Sequence, residues 1–115
     1  MRFAETGTGT VPAVDFRPFA LDHDEQTNTL VVSGSIDETA GPELRQAIEK
    51  HSVGYTRDLT IDLGDVDFLP SLGVGVLALA MRSGDQNDAS ITLVAVKGTV
   101  AQRVLTICAL PHTLR

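Results

Sequence analysis

The sequence has little of what marks a secreted, nucleic-acid-binding or membrane-surface protein. Its 115 residues include one cysteine, Cys108, so an internal disulfide is impossible. They also lack an excess of positive charge, since 9 lysines and arginines face 15 aspartates and glutamates, for a formal net charge of −6. Nucleic acids and anionic membranes both require a basic face, so neither is a predicted partner. The acidic balance favours a protein partner with a basic patch.

Long apolar segments are also missing. The longest apolar run, residues 72–81, is much shorter than the roughly 20 residues that span a bilayer. Residues 1–12 are rich in glycine and threonine; they predict a flexible tail and lack the apolar core of a signal peptide. Together with the single cysteine, these features predict a cytoplasmic protein.

No metal, cofactor or enzyme motif is complete. The three histidines and the scattered acids do not have metal-ligand spacing, so no metal or cofactor is predicted. Residues 73–78 match the dinucleotide pattern G-x-G-x-x-A but do not follow a strand directly, which argues against nucleotide binding. Ser71 lacks the first glycine of the G-x-S-x-G elbow. A non-enzyme is therefore predicted, with a hydrolase using Ser71 as nucleophile as a remaining alternative.

An alternation of strands and helices fills residues 13–115. Strands are predicted at 14–21, 29–36, 58–63 and 90–96, with polar turns at 22–28 and 83–88. Helices are predicted from an N-cap at Thr39 to about residue 50, from about 72 to 82, and from an N-cap at Thr99 to about 108. The inner stripe of the last helix is expected to contain Val100, Val104, Leu105 and Cys108. This order predicts a single α/β domain, a mixed sheet opened by an antiparallel hairpin with helices packed on it.

The second predicted helix is apolar almost all round, and Ser71 lies at its start. A helix without a polar face is either buried or uses its exposed side for a partner. Ser71 either caps the helix or displays its hydroxyl where a phosphate would be stabilised. Leu72 and Val74 would give a partner an apolar anchor, and they would also permit a weak homodimer.

Four segments resemble, in order and spacing, the motifs of STAS domains, the family of bacterial anti-sigma factor antagonists. Residues 32–40 (Val-Ser-Gly-Ser-Ile-Asp-Glu-Thr-Ala) resemble the signature G-E-L-D-x-x-T-A, and residues 59–68 resemble the central strand. Residues 70–77 (Pro-Ser-Leu-Gly-Val-Gly-Val-Leu) stand where the family has D-S-S/T-G-L-G-V-L. Residues 99–105, followed by Leu110, are similar to the last helix. The resemblance covers residues 14–115.

The resemblance implies a regulator of transcription. Members of the family bind an anti-sigma factor that is also a kinase of the histidine-kinase-like ATPase type, and so release the sigma factor. The kinase phosphorylates the first serine of D-S-S/T-G and a phosphatase reverses this, which makes Ser71 the implied phospho-acceptor. The implied partner interface consists of Asp37, Glu38, Thr39, Pro70, Ser71, Leu72, Gly73, Val74 and Gly75. Asp37 is equally suited to capping the first helix, and the two roles are compatible.

Two residues depart from the family pattern. Pro70 replaces the aspartate and Leu72 replaces the second hydroxyl residue. The loop thereby loses a carboxylate that could position the serine hydroxyl. The alternative function is a sensor or scaffold module of a larger regulatory complex that is insensitive to phosphorylation. Cys108 adds a redox alternative that could operate only between chains.

Overall fold

The computed structural model describes residues 17–115, which form a five-stranded mixed sheet and three helices. Neighbouring strands follow one another in chain order; the first two are antiparallel and the remaining neighbours are parallel. This confirms the predicted α/β class with its opening hairpin, whereas the predicted tail, 1–12, lies outside the described residues. The elements are β1 Ala20–Asp24, β2 Thr29–Ser35, α1 Ala40–His51, β3 Leu59–Phe68, α2 Ser71–Gln86, β4 Ile91–Ala95, α3 Val100–Ile107 and β5 Thr113–Leu114.

The parallel pairing places the loops before α1 and α2 side by side. β2 pairs with β3 from Thr29 opposite Thr60 to Ser35 opposite Phe68. Parallel strands need a crossover connection, and α1, α2 and α3 provide one for each parallel pair. The carboxyl ends of β2 and β3 therefore lie together, and each leads into a helix.

The hydrophobic core lies between the helices and one face of the sheet. Along β3 the buried side chains of Leu59, Ile61 and Leu63 alternate with half-buried residues on the opposite face. The helices contribute residues at helical spacing, as expected for amphipathic helices packed on a sheet. The fully buried large side chains include Leu30, Val32, Ile36, Leu44, Ile48, Ile61, Leu63, Leu77, Leu93 and Leu105.

The first hairpin is shifted toward the C-terminus relative to its prediction. The strand predicted at 14–21 instead spans Ala20–Asp24, and the turn shortens to residues 25–28; positions 14–16 lie outside the described residues. The polar residues Asp22 and Asp24 pair with Val31 and Thr29 of β2. Backbone pairing continues this edge strand past Leu21 although the side chains of Asp22 and Asp24 are exposed, so the pattern of apolar residues placed its C-terminal end too early.

β3 and α2 are both longer than predicted. β3 continues to Phe68 because residues 33–35 of β2 pair with its last part. α2 continues to Gln86, over the first four residues of the turn predicted at 83–88. Gly84 is buried there, and a Cβ at this position would lie 2.7 Å from Ile91 Cγ1, so a small residue is needed where α2 crosses β4. Within residues 17–115, no helix has the length and apolar character needed to cross a membrane.

The C-terminal region confirms one predicted cap and corrects one predicted stripe. Thr99 is the N-cap of α3, and its side chain accepts a hydrogen bond from the Gln102 N–H. The inward face of the helix, however, is formed by Ala101 and Leu105, while Val100 and Cys108 are exposed. A shift of one residue rotates a helix face by about 100°, which accounts for the error. The short strand β5 has no predicted counterpart.

Candidate functional site

The predicted site residues come from two loops that meet at the carboxyl ends of β2 and β3. Ile36 N–H donates a hydrogen bond of 3.1 Å to the Phe68 carbonyl, which joins the two loops directly. Asp37 follows Ile36 on one side, and Pro70 and Ser71 follow Phe68 on the other. The structure therefore brings the two halves of the predicted interface onto one end of the sheet.

Ser71 does not cap α2. Pro70 occupies the N-cap position, with φ −78° and ψ 171°, and Ser71 is the first residue of the helix. Its side chain is exposed and its hydroxyl has no hydrogen-bond partner among residues 17–115. The predicted capping role is thus wrong, because proline, whose φ is restricted to about −65°, takes the preceding position. The hydroxyl is left at the surface.

The side chain of Asp37 caps α1, which confirms the capping role predicted for it, whereas the side chain of the predicted N-cap residue Thr39 does not. Thr39 is at the N-cap position but its side chain does not cap the helix. Asp37 Oδ1 instead accepts hydrogen bonds from Thr39 N–H (3.0 Å), Thr39 Oγ1–H (2.9 Å) and Ala40 N–H (2.9 Å). These bonds, led by the Thr39 hydroxyl and then Ala40 N–H, hold the pKa of Asp37 below its ordinary value. The site therefore carries a negative charge at neutral pH.

Replacing Asp37 tests this cap. Asp37→Ala should lower the urea midpoint of unfolding, because the N–H and the hydroxyl of Thr39 lose their acceptor and the Ala40 N–H keeps only its 3.2 Å bond to the backbone carbonyl of residue 37. The lowered pKa means that the ionised cap stabilises the fold above pH 3.8, the ordinary value, and that this contribution is lost as the pH falls further. Asp37→Asn keeps an acceptor without a charge, so it should retain most of the midpoint and lose this pH dependence. Equal midpoints for wild type and Asp37→Ala would contradict the capping role.

Close packing holds the starts of α1 and α2 against each other. A Cβ at Gly41 would lie 3.1 Å from Leu72 Cδ2, and one at Gly73 would lie 2.9 Å from Leu69 Cδ1 and 3.2 Å from Ile36 Cγ2. These two glycines therefore let the helix starts approach each other. Gly75, by contrast, has no such neighbour: outside its own stretch of helix, no atom of residues 17–115 lies within 4 Å of a Cβ placed on it. Gly41 and Ile36 support the site without having been predicted from the sequence; the glycine inside the first helical turn was the available signal.

The surface formed by these loops combines an apolar centre with acidic neighbours. Leu72 is 47% exposed although one side of it rests on Gly41. Asp37, Glu38 and Thr39 are exposed beside it, as are Ser71 and Gly75. Pro70 and Val74 are half-buried, and Gly73 is buried and contributes no surface of its own.

Arg17 ties the N-terminal approach to the same end of the sheet, a contact not predicted from the sequence. Its guanidinium donates to both carboxylate oxygens of Asp67, from Nε and Nη2 at 3.0 Å each, and its carbonyl accepts a 3.0 Å bond from Ser35 N–H. The hydrogen bond from Arg17 is the main reason that the pKa of Asp67 is lowered. Arg17 lies against Ser35 of β2, and the pairing of β2 with β3 brings it to Asp67, 50 positions further along the chain.

The histidines are placed away from Ser71. His23 and His51 stack on each other with ring centroids 3.6 Å apart, near the amino ends of the parallel strands. His112 Nδ1 lies 2.8 Å from the Leu110 carbonyl. A serine nucleophile needs a base within hydrogen-bond reach, and Ser71 has no such partner among residues 17–115.

Residues 19–110 match a family model described as "Mlab, STAS domain". An anti-sigma-B factor antagonist from Listeria monocytogenes is 33% identical over 64 residues, covering 56% of each chain. One from Staphylococcus aureus is 25% identical over 71 residues, covering 62% of this chain and 66% of the relative. The chain thus aligns with little more than half the length of the first of these curated relatives.

Solved structures share the fold. The anti-sigma factor antagonist SpoIIAA in its unphosphorylated form superposes with a TM-score of 0.63 at 23% identity, covering 84% of this chain and 85% of SpoIIAA. An anti-sigma factor antagonist from Mycobacterium paratuberculosis gives a TM-score of 0.64 at 26% identity, covering 81% of this chain and 78% of the other. The fold of this chain, a five-stranded sheet with an opening antiparallel hairpin, therefore matches that of SpoIIAA.

Proposed function

Because this chain belongs to the STAS-domain family, we propose that it is an anti-sigma factor antagonist: a cytoplasmic binding module, not an enzyme, that binds an anti-sigma factor and so releases a sigma factor. The names of the relatives from Listeria monocytogenes, Staphylococcus aureus and Mycobacterium paratuberculosis support this role. The observation that carries it to this chain is the exposed Ser71 hydroxyl, free of intramolecular partners among residues 17–115 and next to the Asp37 loop.

The contact face would be the surface of the two loops. Leu72 is a suitable central anchor because it is apolar, nearly half exposed and supported from below by Gly41. Asp37 and Glu38 would form an acidic rim. A complementary partner would have an apolar pocket bordered by lysine or arginine side chains.

We further propose that a kinase-type anti-sigma factor switches this contact by transferring the γ-phosphoryl group of ATP to Ser71 Oγ, with ADP as the leaving product and the hydroxyl proton released to solvent. The start of α2 can accommodate the phosphate: its first N–H groups have no side-chain cap, and its first turn contains no acidic residue. The centre of a packed interface cannot, because a phosphate of charge about −1.5 to −2 next to Leu72 is costly to desolvate when the basic side chains of the partner are already paired with Asp37 and Glu38. Phosphorylation would therefore end binding while leaving the fold intact, and a phosphatase would restore it.

The second candidate function is a STAS module that binds its partner without being phosphorylated. The φ of −78° at Pro70 suits proline, so the helix start keeps its backbone geometry while lacking a carboxylate next to the serine. Leu72 presents an apolar side chain where the family has a second hydroxyl. Both features favour recognition by shape over phosphoryl transfer.

Phosphorylation of Ser71 is tested by incubating the protein with ATP and a candidate anti-sigma kinase and measuring the intact mass. We expect the wild type to gain one phosphoryl group and Ser71→Ala to gain none. Pro70→Asp, which restores the family residue, should react faster if the missing carboxylate limits the transfer. Binding without a mass gain would support the second candidate; a mass gain in Ser71→Ala would exclude Ser71 as the acceptor.

A further inference from the structure

A stacked pair of histidines joins the first hairpin to the end of α1, far from the Ser71 loop. His23 lies in β1 and His51 is the last residue of α1. Their rings are 3.6 Å apart between centroids and 19° from parallel. Thr29 pairs with Thr60 at the amino ends of β2 and β3, and Ser35 pairs with Phe68 at the carboxyl ends. The histidine pair and the proposed interface therefore lie at opposite ends of the sheet.

Hydrogen bonds assign the proton on one of the two rings. Asn28 Nδ2 donates to the carbonyls of His51 (3.1 Å) and Asp58 (2.6 Å), which leaves Asn28 Oδ1 as an acceptor. His23 Nε2 lies 2.7 Å from that oxygen and must therefore carry a hydrogen. Asn28 itself has φ +48°, the left-handed conformation that closes the turn. The turn, the two rings and the end of α1 thus form one connected unit.

The charged side chains close to the two rings balance each other in sign. Two surface cavities of about 350 and 440 Å³ both include His23 and His51 in their walls. Within the described part of the chain, the charged groups that line them are Asp22 of β1, Glu25 of the turn, Lys50 of α1 and Arg57 of the following loop, two acids and two bases. Burial, followed by the positive charges of His23 and Lys50, lowers the pKa of His51, whereas Glu25 acts in the opposite direction.

We propose that the stacked His23–His51 pair is a pH-sensitive latch that holds the hairpin on the end of α1 at neutral pH and releases it when both rings are protonated. When at most one of the two rings is positively charged, the rings stack. When both are, like charges face each other about 4 Å apart. Even with the screening of bulk water, such repulsion shifts an equilibrium by about fivefold. Because folded His51 holds its proton less tightly than unfolded His51, the stabilisation is complete above pH 6.5, its ordinary value, and declines as the pH falls below it.

The latch is tested by amide hydrogen exchange, corrected for intrinsic pH effects, from about pH 7.5 to about pH 5, the range in which histidine titrates. In the wild type, the protection of the amides of residues 21–24 and 30–32 against exchange should decrease about fivefold as the pH falls. His51→Phe keeps a flat ring without a titrating group, and His51→Gln provides a smaller neutral alternative; in both, the loss should disappear.

His112→Phe is the matched control, because it removes the remaining histidine, which does not belong to the pair. It should keep the wild-type loss of protection. The latch would be refuted by an unchanged wild-type hairpin, or by equal losses in the wild type and in the folded His51 variants. The measurement needs no partner protein, so its outcome is separate from that of the proposed antagonist function.

Discussion

Ser71→Glu should weaken binding of the anti-sigma factor by about 100-fold or more while leaving the free energy of unfolding nearly unchanged. The side chain is exposed at the start of α2, where a negative charge is compatible with the helix. At the proposed interface the same charge would be buried next to Leu72 and near the ionised Asp37. Leaving a buried charge unpaired in an interface typically costs about 2–5 kcal/mol. Calorimetric titration of the purified pair would measure the affinity.

Ser71→Gln is the matched control for this variant, because glutamine has nearly the size of glutamate without its charge. It should retain most of the affinity, and Ser71→Ala should bind within about threefold of the wild type, as expected for a small contact near an interface centre. If glutamine weakens binding as much as glutamate, then size and not charge is responsible, and the phosphorylation switch loses its physical basis.

Gly34→Ala should lower the free energy of unfolding by about 3 kcal/mol. Gly34 has φ +79°, in the left-handed region that costs other residues about 1–2 kcal/mol. A Cβ there would also collide with the backbone carbonyl groups of Pro18 and Arg17, and forcing atoms into a packed region costs about 1–3 kcal/mol. Relieving the collision would move Arg17 away from Ser35 and Asp67. Urea denaturation followed by circular dichroism would measure the loss.

Gly54→Ala separates the two contributions. Gly54 also has a left-handed φ, +68°, but apart from its two chain neighbours no atom of the described residues lies within 4 Å of a Cβ placed on it. Its replacement should therefore cost only the backbone term, about 1 kcal/mol. Equal losses for the two variants would show that the close approach of residues 17–18 to β2 contributes nothing to stability.

Elements defined by consecutive residues were predicted well. The strand at 29–36, the strand at 90–96 and the helix beginning after Thr99 all agree with the structure to within about two residues. Each rests on local signals: β-branched residues in a short apolar run, or a threonine followed by a helical pattern. The motif resemblance similarly located both loops of the proposed interface.

The details of the site were predicted less well, because at the start of both α1 and α2 more than one residue was suited to the capping position. Ser71 and Thr39 are both good N-cap residues, yet neither side chain caps its helix. Pro70 displaces the start of α2 by one residue, and the Asp37 carboxylate accepts hydrogen bonds from the N–H groups of Thr39 and Ala40 at the start of α1. Cap preferences rank residue types at a given position, but they do not decide which neighbour reaches the helix end first.

The kinds of element and their order follow from the chain itself, since periodicity and turn chemistry depend on residues a few positions apart. Four features do not follow from the chain alone: the extension of β3 to Phe68, the contact of Arg17 with Asp67, the stacking of His23 on His51, and the meeting of the Asp37 and Ser71 loops. These features arise from pairing and packing between segments that are distant along the chain. The order of residues along the chain does not show which distant segments come into contact, so these features are decided only when the sheet forms.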